Sequence, residues 1–383
     1  MSAQGFRLTG DRWSSAAQAA ADLSISYNAA TREVVRHPDD VVIGDDIFEV
    51  LGALVAEDPS ALWVGYLGYG CRTDLRARPA VGVPDAVWMR SDGSSVTNAS
   101  SSVTSDSSAA IGDGSAGVPE EYRRAFEEVQ RRLRAGDSYE VNLTRRVELA
   151  TSGDPDPDEV YDRLCAINPA PYAAHLWHDG THVLSASPEC YMTVDGGRLR
   201  TKPIKGTTPR GTDEASDRLQ RERLASDPRY RAENLMITDL MRNDLSQVCA
   251  PGSVEVTSLM NVESYAAVHQ LVSTVEGTLN PGVSVVQAIR ALFPAGSMTG
   301  APKQRTMEII DAVEDSPRGV YSGALGWIRG DSCEMSVIIR SLIRDPANRW
   351  QAGTGGGITV HSDAASEWDE SEWKLHRLVS ALS

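Results

Sequence analysis

Groups able to do chemistry are densest in Pro203-Ile204-Lys205-Gly206-Thr207-Thr208-Pro209-Arg210-Gly211. Two prolines fix this backbone, and two glycines open it where side chains would crowd. A lysine held still there serves as an anion clamp or, once it loses its proton, as a nucleophile. Burial or a neighbouring cation favours that loss. A surface turn with a solvated lysine is the structural alternative. Upstream, Val183-Leu184 leads into Ser185-Ala186-Ser187-Pro188-Glu189, a strand ending in a carboxylate. Downstream, Asp227-Pro228 reads as a helix start, with aspartate as cap and proline in the first turn. On that helix Glu233 shares a face with Met236, Ile237 and Leu240. A carboxylate on an apolar face must be paired, hydrogen-bonded or metal-bound. An ion pair with arginine is the structural alternative. Near the C-terminus, Glu367, Glu370 and Lys374 share one helix face. They form either a solvated acidic face with an i,i+4 Glu–Lys pair or a metal ligand beside a substrate-binding lysine.

The elements that must position these groups are legible in outline. A helix opens at Pro119, with Tyr122, Phe126, Val129 and Leu133 at helical spacing, and stops at Gly136. The stretch Tyr139–Thr144 alternates like a strand, with Glu140 as an outward-facing carboxylate. A helix is expected over 155–163, and two strands within Ala174–Val194 around Asp179-Gly180. Cys190 reads as a small buried residue. Residues 284–292 form a helix. The Pro294–Gly300 loop then leads to another helix near Pro302. That loop lacks the Walker spacing, yet a glycine-rich turn before a helix can present N–H groups to a carboxylate. Strands are expected at Tyr321–Arg329, Met335–Arg344 and Trp350–Val360. The last contains Gly353-Thr354-Gly355-Gly356-Gly357, where a ligand can touch bare backbone. The final helix runs from about Ala365 to Ala381, packing through Trp368, Leu375, Leu378 and Leu382. Residues 1–90 read as a short N-terminal part packing on the body, including strands at Trp63–Tyr69 and Ala86–Met89. Residues 91–117 read as a Ser/Gly-rich flexible linker or loop, and 118–383 as the catalytic body.

Composition narrows the function. The 37 basic residues stand against 53 acidic ones, a net charge of −16 with no basic run, which argues against nucleic acid. An anionic substrate would need local cations or a metal. The five cysteines are widely spaced and imply neither a disulfide framework nor a zinc motif. With no membrane-length apolar run and no signal-like N-terminus, a soluble cytoplasmic protein is expected.

Several stretches stand in a telling order. They are the Glu189 strand end, the Lys205 turn, Arg231-Ala232-Glu233-Asn234-Leu235-Met236, Phe293–Lys303, Gly355-Gly356-Gly357-Ile358-Thr359 and Glu367-Trp368-Asp369-Glu370-Ser371. In that order they resemble the chorismate-utilising enzymes: anthranilate, aminodeoxychorismate, isochorismate and salicylate synthases. The resemblance runs from about Tyr122 to the C-terminus, with a weaker echo at Gly65–Tyr69. It implies an α+β fold of two packed, mainly antiparallel sheets surrounded by helices. Lysine at the position of Lys205 resembles aminodeoxychorismate synthase component I, where anthranilate synthases usually have alanine. Carried over residue by residue, the resemblance implies Lys205 as covalent nucleophile and Glu189 as general acid. It implies Mg²⁺ held by Glu233 and Glu370, with Glu367 acting through water. Arg340, Tyr321, Thr207, Ser297, Gly355, Gly356 and Lys374 are the implied substrate contacts. Chorismate and ammonia are the implied substrates, with a separate glutamine amidotransferase subunit as ammonia source, in a cytoplasmic transferase of para-aminobenzoate and folate biosynthesis.

Two departures from the family pattern matter. Water-activating relatives carry lysine where Glu140 stands, so isochorismate and salicylate synthesis are disfavoured. The histidine that relatives place before Leu-Val-Ser is replaced by Gln270, with His269 shifted by one to the opposite side of the strand and read as structural. Anthranilate synthase component I is the other enzymatic reading. A catalytically silent chorismate-binding regulatory homologue is the reading of another class.

Overall fold

The computed structural model describes residues 4–13, 17–91, 117–151, 153–265 and 268–383. Its strands form two antiparallel sheets, one of eight strands and one of twelve. From edge to edge, the eight-stranded sheet runs Gly300–Ala301, Glu140–Leu149, Trp350–Ile358, Ser341–Arg344, Thr181–Ser187, Tyr172–His178, Gln4–Leu8 and Ala17–Ala20. The larger sheet begins at Ile204–Pro209 and Val268–Thr278. Arg198–Thr201, Cys190–Asp195, Ser332–Val337, Ala324–Arg329 and Leu62–Leu67 come next, and the sheet continues through N-terminal strands to Val41–Gly44.

Burial of apolar faces explains the layering. Phe6, Leu8, Leu176 and Val183 of the smaller sheet meet Val64, Val87, Met89 and Leu325 of the larger one in a shared core. Outside the larger sheet pack the helices Ile47–Glu57, Pro228–Ser246 and Val285–Leu292, through Leu51, Ile237, Leu240, Leu245 and Ile289. Outside the smaller sheet lie Pro157–Ile167, Ala364–Val379, Glu120–Arg134 and Lys303–Val313. The Pro228 helix starts as its sequence dictates: Asp227 accepts from the amides of Arg229 and Tyr230, and proline fills the first turn. Among the described residues no helix is long and apolar enough to cross a membrane.

Two observations refine the sequence reading. The first 91 residues contribute strands to both sheets, because hydrogen-bonded edges recruit them over long sequence distances. The expected strand Met335–Arg344 is two strands, Ser332–Val337 in the larger sheet and Ser341–Arg344 in the smaller, with Arg340 between them at φ 50°. The expected linker lies outside the described residues, apart from its two ends.

One buried ion pair ties the layers together near the Pro294–Gly300 loop. Arg318 is 3% exposed and donates to the carbonyls of Met298 at 2.5 Å and Asn142 at 2.6 Å. It also pairs with Glu314 at 2.6 Å, and Glu314 accepts from the Thr144 amide at 2.9 Å. Glu314→Gln leaves a buried guanidinium without its counter-charge, so it is expected to destabilise the fold by about 3–5 kcal/mol. Urea unfolding of parent and variant measures this, and a change under about 1 kcal/mol would contradict it.

Candidate active site

Lys205 reaches the interior through an irregular strand pairing. Ile204 stands opposite Val272 and Thr207 opposite Gln270, so the lysine strand carries an extra residue between those points. Such a bulge re-aims a side chain. Gly206 takes φ 89°, and a Cβ there would come within 2.8 Å of the Tyr230 ring. From the bulge, Lys205 Nζ donates to Glu140 Oε1 on a strand of the other sheet. The two side chains are 13% and 4% exposed. Burial pulls the lysine pKa down. The charge and hydrogen bond of Glu140 outweigh it, with Glu233 and Glu189 adding to them, and the ammonium is held above its usual range.

This corrects the reading of Glu140 as an outward-facing carboxylate. Val141, Asn142, Leu143 and Thr144 are all buried, so the strand has no solvent face at this end. The strict alternation of Glu140–Thr144 carries no local signal of this burial, because the polar positions Glu140, Asn142 and Thr144 are covered too.

Glu189 and Arg340 occupy two corners where the chain passes from one sheet to the other. The corners are tied together by hydrogen bonds from the Val337 amide to the Glu189 carbonyl and from the Ala186 amide to the Arg340 carbonyl, both 3.1 Å. Ser297, in the Pro294–Gly300 loop, donates its hydroxyl to Glu189 Oε1 at 2.6 Å. Burial pushes the Glu189 carboxyl above the usual range, against opposing contributions from Ser297, Lys205 and Arg340. Burial also pushes the Arg340 guanidinium down to about 10, with Arg377 acting in the same direction and Glu189 against it. Among the described residues Arg340 closes no ion pair. A partly buried cation without a carboxylate partner among the described residues suits an anionic ligand.

The glycine run lies against these groups. A Cβ at Gly357 would overlap Glu140 Oε1 and stand 3.1 Å from Lys205 Nζ, and one at Gly356 would stand 3.1 Å from Glu367 Oε2. The Gly355 carbonyl accepts from Lys374 Nζ at 2.9 Å.

The three acidic residues read as metal ligands sit on two helices, each facing a cation. Arg229 bridges Glu233 at 3.0 Å and Glu367 at 3.4 Å, and Lys374 pairs with Glu370 at 2.8 Å. Burial raises the pKa of Glu233 and Glu367. For Glu370 burial acts the same way, but Lys374 outweighs it and the carboxylate lies below its usual range. An all-carboxylate oxygen set suits a hard divalent cation. The three donors do not converge within 4.8 Å: among the described residues only His37, His178 and Asp179 do. That remote trio is a polar network joining the sheets, since His37 is engaged by Ser26 and Asp40, and His178 by Ser24.

Other expected contacts lie apart from this cluster or serve packing. Tyr321 is 6% exposed, and its ring packs against Gly353 in the core. Thr207 is exposed on the lysine strand. Lys303, at the end of the glycine loop, is spent on Asp244 at 2.8 Å and the Leu292 carbonyl at 2.5 Å. His269 is structural as expected, buried between Ser264 and Asp217. Cys190 is buried, which pushes its thiol up to about 12. Arg229 was not singled out in the sequence; only the folded proximity of two distant helices marks it.

Comparison with known proteins agrees with this geometry. The structure superposes on anthranilate synthase component I from Streptococcus pneumoniae TIGR4 with a TM-score of 0.77 at 22% identity, covering 99% of this chain and 92% of that one. The expected fold class is thereby borne out. In sequence, the chain is 47% identical over 263 residues to an aminodeoxychorismate synthase of Streptomyces pristinaespiralis, covering 68% of this chain and 36% of that protein. It is 41% identical over 264 residues to aminodeoxychorismate synthase component 1 of Salmonella typhimurium, covering 68% and 57%. It is also 43% identical over 256 residues to an anthranilate synthase component 1 of Haloarcula marismortui, covering 66% and 52%. The chain thus spans from about a third to under three-fifths of the length of these curated relatives. The model of the chorismate binding enzymes matches residues 88–380, a stretch that holds the Lys205 bulge, both sheet-crossing corners and all three acidic helix residues, and on that match the chain belongs to the chorismate binding enzyme family.

Proposed function

We propose that this chain is an aminodeoxychorismate synthase component I, which aminates chorismate at C4 and keeps the enolpyruvyl ether. The observation that carries this reading is a largely buried lysine amine close enough to a second carboxyl to act on it electrostatically, with burial raising the pKa of that carboxyl, Glu189. Arg340 is suited to clamp a substrate carboxylate by its fork geometry. Glu189 donates its proton to the departing C4 hydroxyl, which leaves as water. Lys205, as the free amine, forms a bond to C2 while both ring double bonds shift by one position and the C4–oxygen bond breaks. Ammonia then adds at C4, both double bonds shift back, and the C2–nitrogen bond to Lys205 breaks. Glu233 and Glu370 would hold magnesium, with Glu367 acting through water. When bound, the ion would supply positive charge to the ring carboxylate. Arg229 and Lys374, which now face these carboxylates, would have to yield to it. Ser297 orients Glu189, and Gly355 and Gly356 offer bare backbone to the substrate.

Ammonia is expected from a separate glutamine amidotransferase subunit, in the cytoplasm. With chorismate, Mg²⁺ and ammonium, the purified chain is expected to form 4-amino-4-deoxychorismate. With glutamine in place of ammonium it is expected to do so only when a suitable glutaminase is added. Stringent chelation is expected to abolish turnover. Product identification by mass checks this. Anthranilate with pyruvate release would favour the other enzymatic reading, and activity from glutamine with the chain alone would contradict the partner.

A further inference from the structure

The Lys205–Glu140 pair carries a consequence for reactivity. Its two members come from different sheets, and both are largely buried. Gly357 forms a floor beneath them that any side chain would destroy. The other acidic groups facing Lys205 are otherwise engaged. Glu189 holds the Ser297 hydroxyl, Glu233 holds Arg229, and Glu370 holds Lys374. Glu140 is the carboxylate in direct contact with the amine among the described residues.

We propose that Glu140 is a positioning residue that keeps Lys205 as an ammonium at rest and so sets the pH at which it becomes a nucleophile. The pair also fixes where the amine sits, because Nζ is tethered to a strand of the opposite sheet. Activation is the passage of one proton from Nζ to Oε1, which leaves a neutral amine and a neutral carboxyl. The proposal rests on Lys205 as nucleophile, but its test needs no turnover, so the two can fail separately.

The sequence makes the test clean, for the chain has only four lysines: Lys202, Lys205, Lys303 and Lys374. Brief labelling with acetic anhydride at a series of pH values, read by peptide mass spectrometry, follows each one. The sign is set by the lost anion: without a carboxylate to favour the ammonium, the amine deprotonates at lower pH. In Glu140→Gln the labelling midpoint of Lys205 is expected to fall by about one unit or more, roughly tenfold more reactive amine at a fixed pH below the midpoint. Glu140→Asp, which keeps the charge, is expected to recover most of the parent midpoint. Lys303, paired with Asp244, reports whether the fold is intact, since its protection should be unchanged. An unchanged or raised Lys205 midpoint in Glu140→Gln, with Lys303 still protected, overturns the proposal. If Lys303 loses protection, Gln and Asp variants are compared at Lys205 by nitrogen-15 NMR of labelled lysine. Equal midpoints there overturn it equally.

Discussion

Lys205→Ala is expected to reduce formation of 4-amino-4-deoxychorismate by roughly 10³-fold or more, with the fold retained. The magnitude follows from the setting. The amine is buried, delivered by a bulge and tethered to the opposite sheet, so it is pre-positioned rather than recruited from solvent. A held nucleophile contributes through proximity as well as through covalent chemistry, and alanine removes both. The loss should fall on kcat more than on KM, since Arg340 and the glycine backbone remain to bind substrate. The measurement is product quantification at limiting ammonia. Parent-like rates in the variant would reduce Lys205 to a carboxylate clamp and remove the main ground for preferring C4 amination over anthranilate formation.

Glu189→Gln is expected to lower kcat by about 10²–10⁴-fold. The amide keeps the size of the side chain and can still meet the Ser297 hydroxyl, but it has no proton to give a leaving hydroxyl. Burial keeps the parent carboxyl protonated to a higher pH than an exposed glutamate. Activity that depends on this acid is therefore present below its raised pKa and is lost as pH climbs through it. The parent's kcat–pH profile should show that limb and the variant's residual activity should lack it. A variant with parent-like kcat, or with the same limb intact, would assign the acid elsewhere.

The site's members were legible in the sequence to unequal degrees, and the differences have physical causes. Glu189 and Glu233 were readable because local rules place them: a strand end for one, a capped amphipathic helix for the other. Lys205 was readable from its Pro/Gly setting. Glu140 was misread because its environment is made by its neighbours in space. Its partner Lys205 is 65 positions away in the chain. The Met335–Arg344 break was equally invisible to periodicity: both halves are strands, and only the change of sheet at Arg340 separates them. That break matters for the proposed chemistry, since it brings Arg340 beside Glu189. The two-sheet architecture itself came from the ordered resemblance to a family and not from strand patterns, which do not say which edges pair. Arg229 was missed because an exposed arginine in a first helical turn looks like any solvated charge until Glu367 arrives from the C-terminal helix.

The central claim is that Lys205 forms a bond to the substrate. Intact and peptide mass spectrometry of the parent protein, mixed with chorismate and Mg²⁺ in the absence of ammonia, tests it most directly. The expected result is a mass gain of one chorismate less one water, located on the peptide containing Lys205, absent from Lys205→Ala and discharged as 4-amino-4-deoxychorismate when ammonium is added. Formation of that product at full rate by a parent enzyme that never carries the adduct, under quenching fast enough to trap it, would contradict the covalent route.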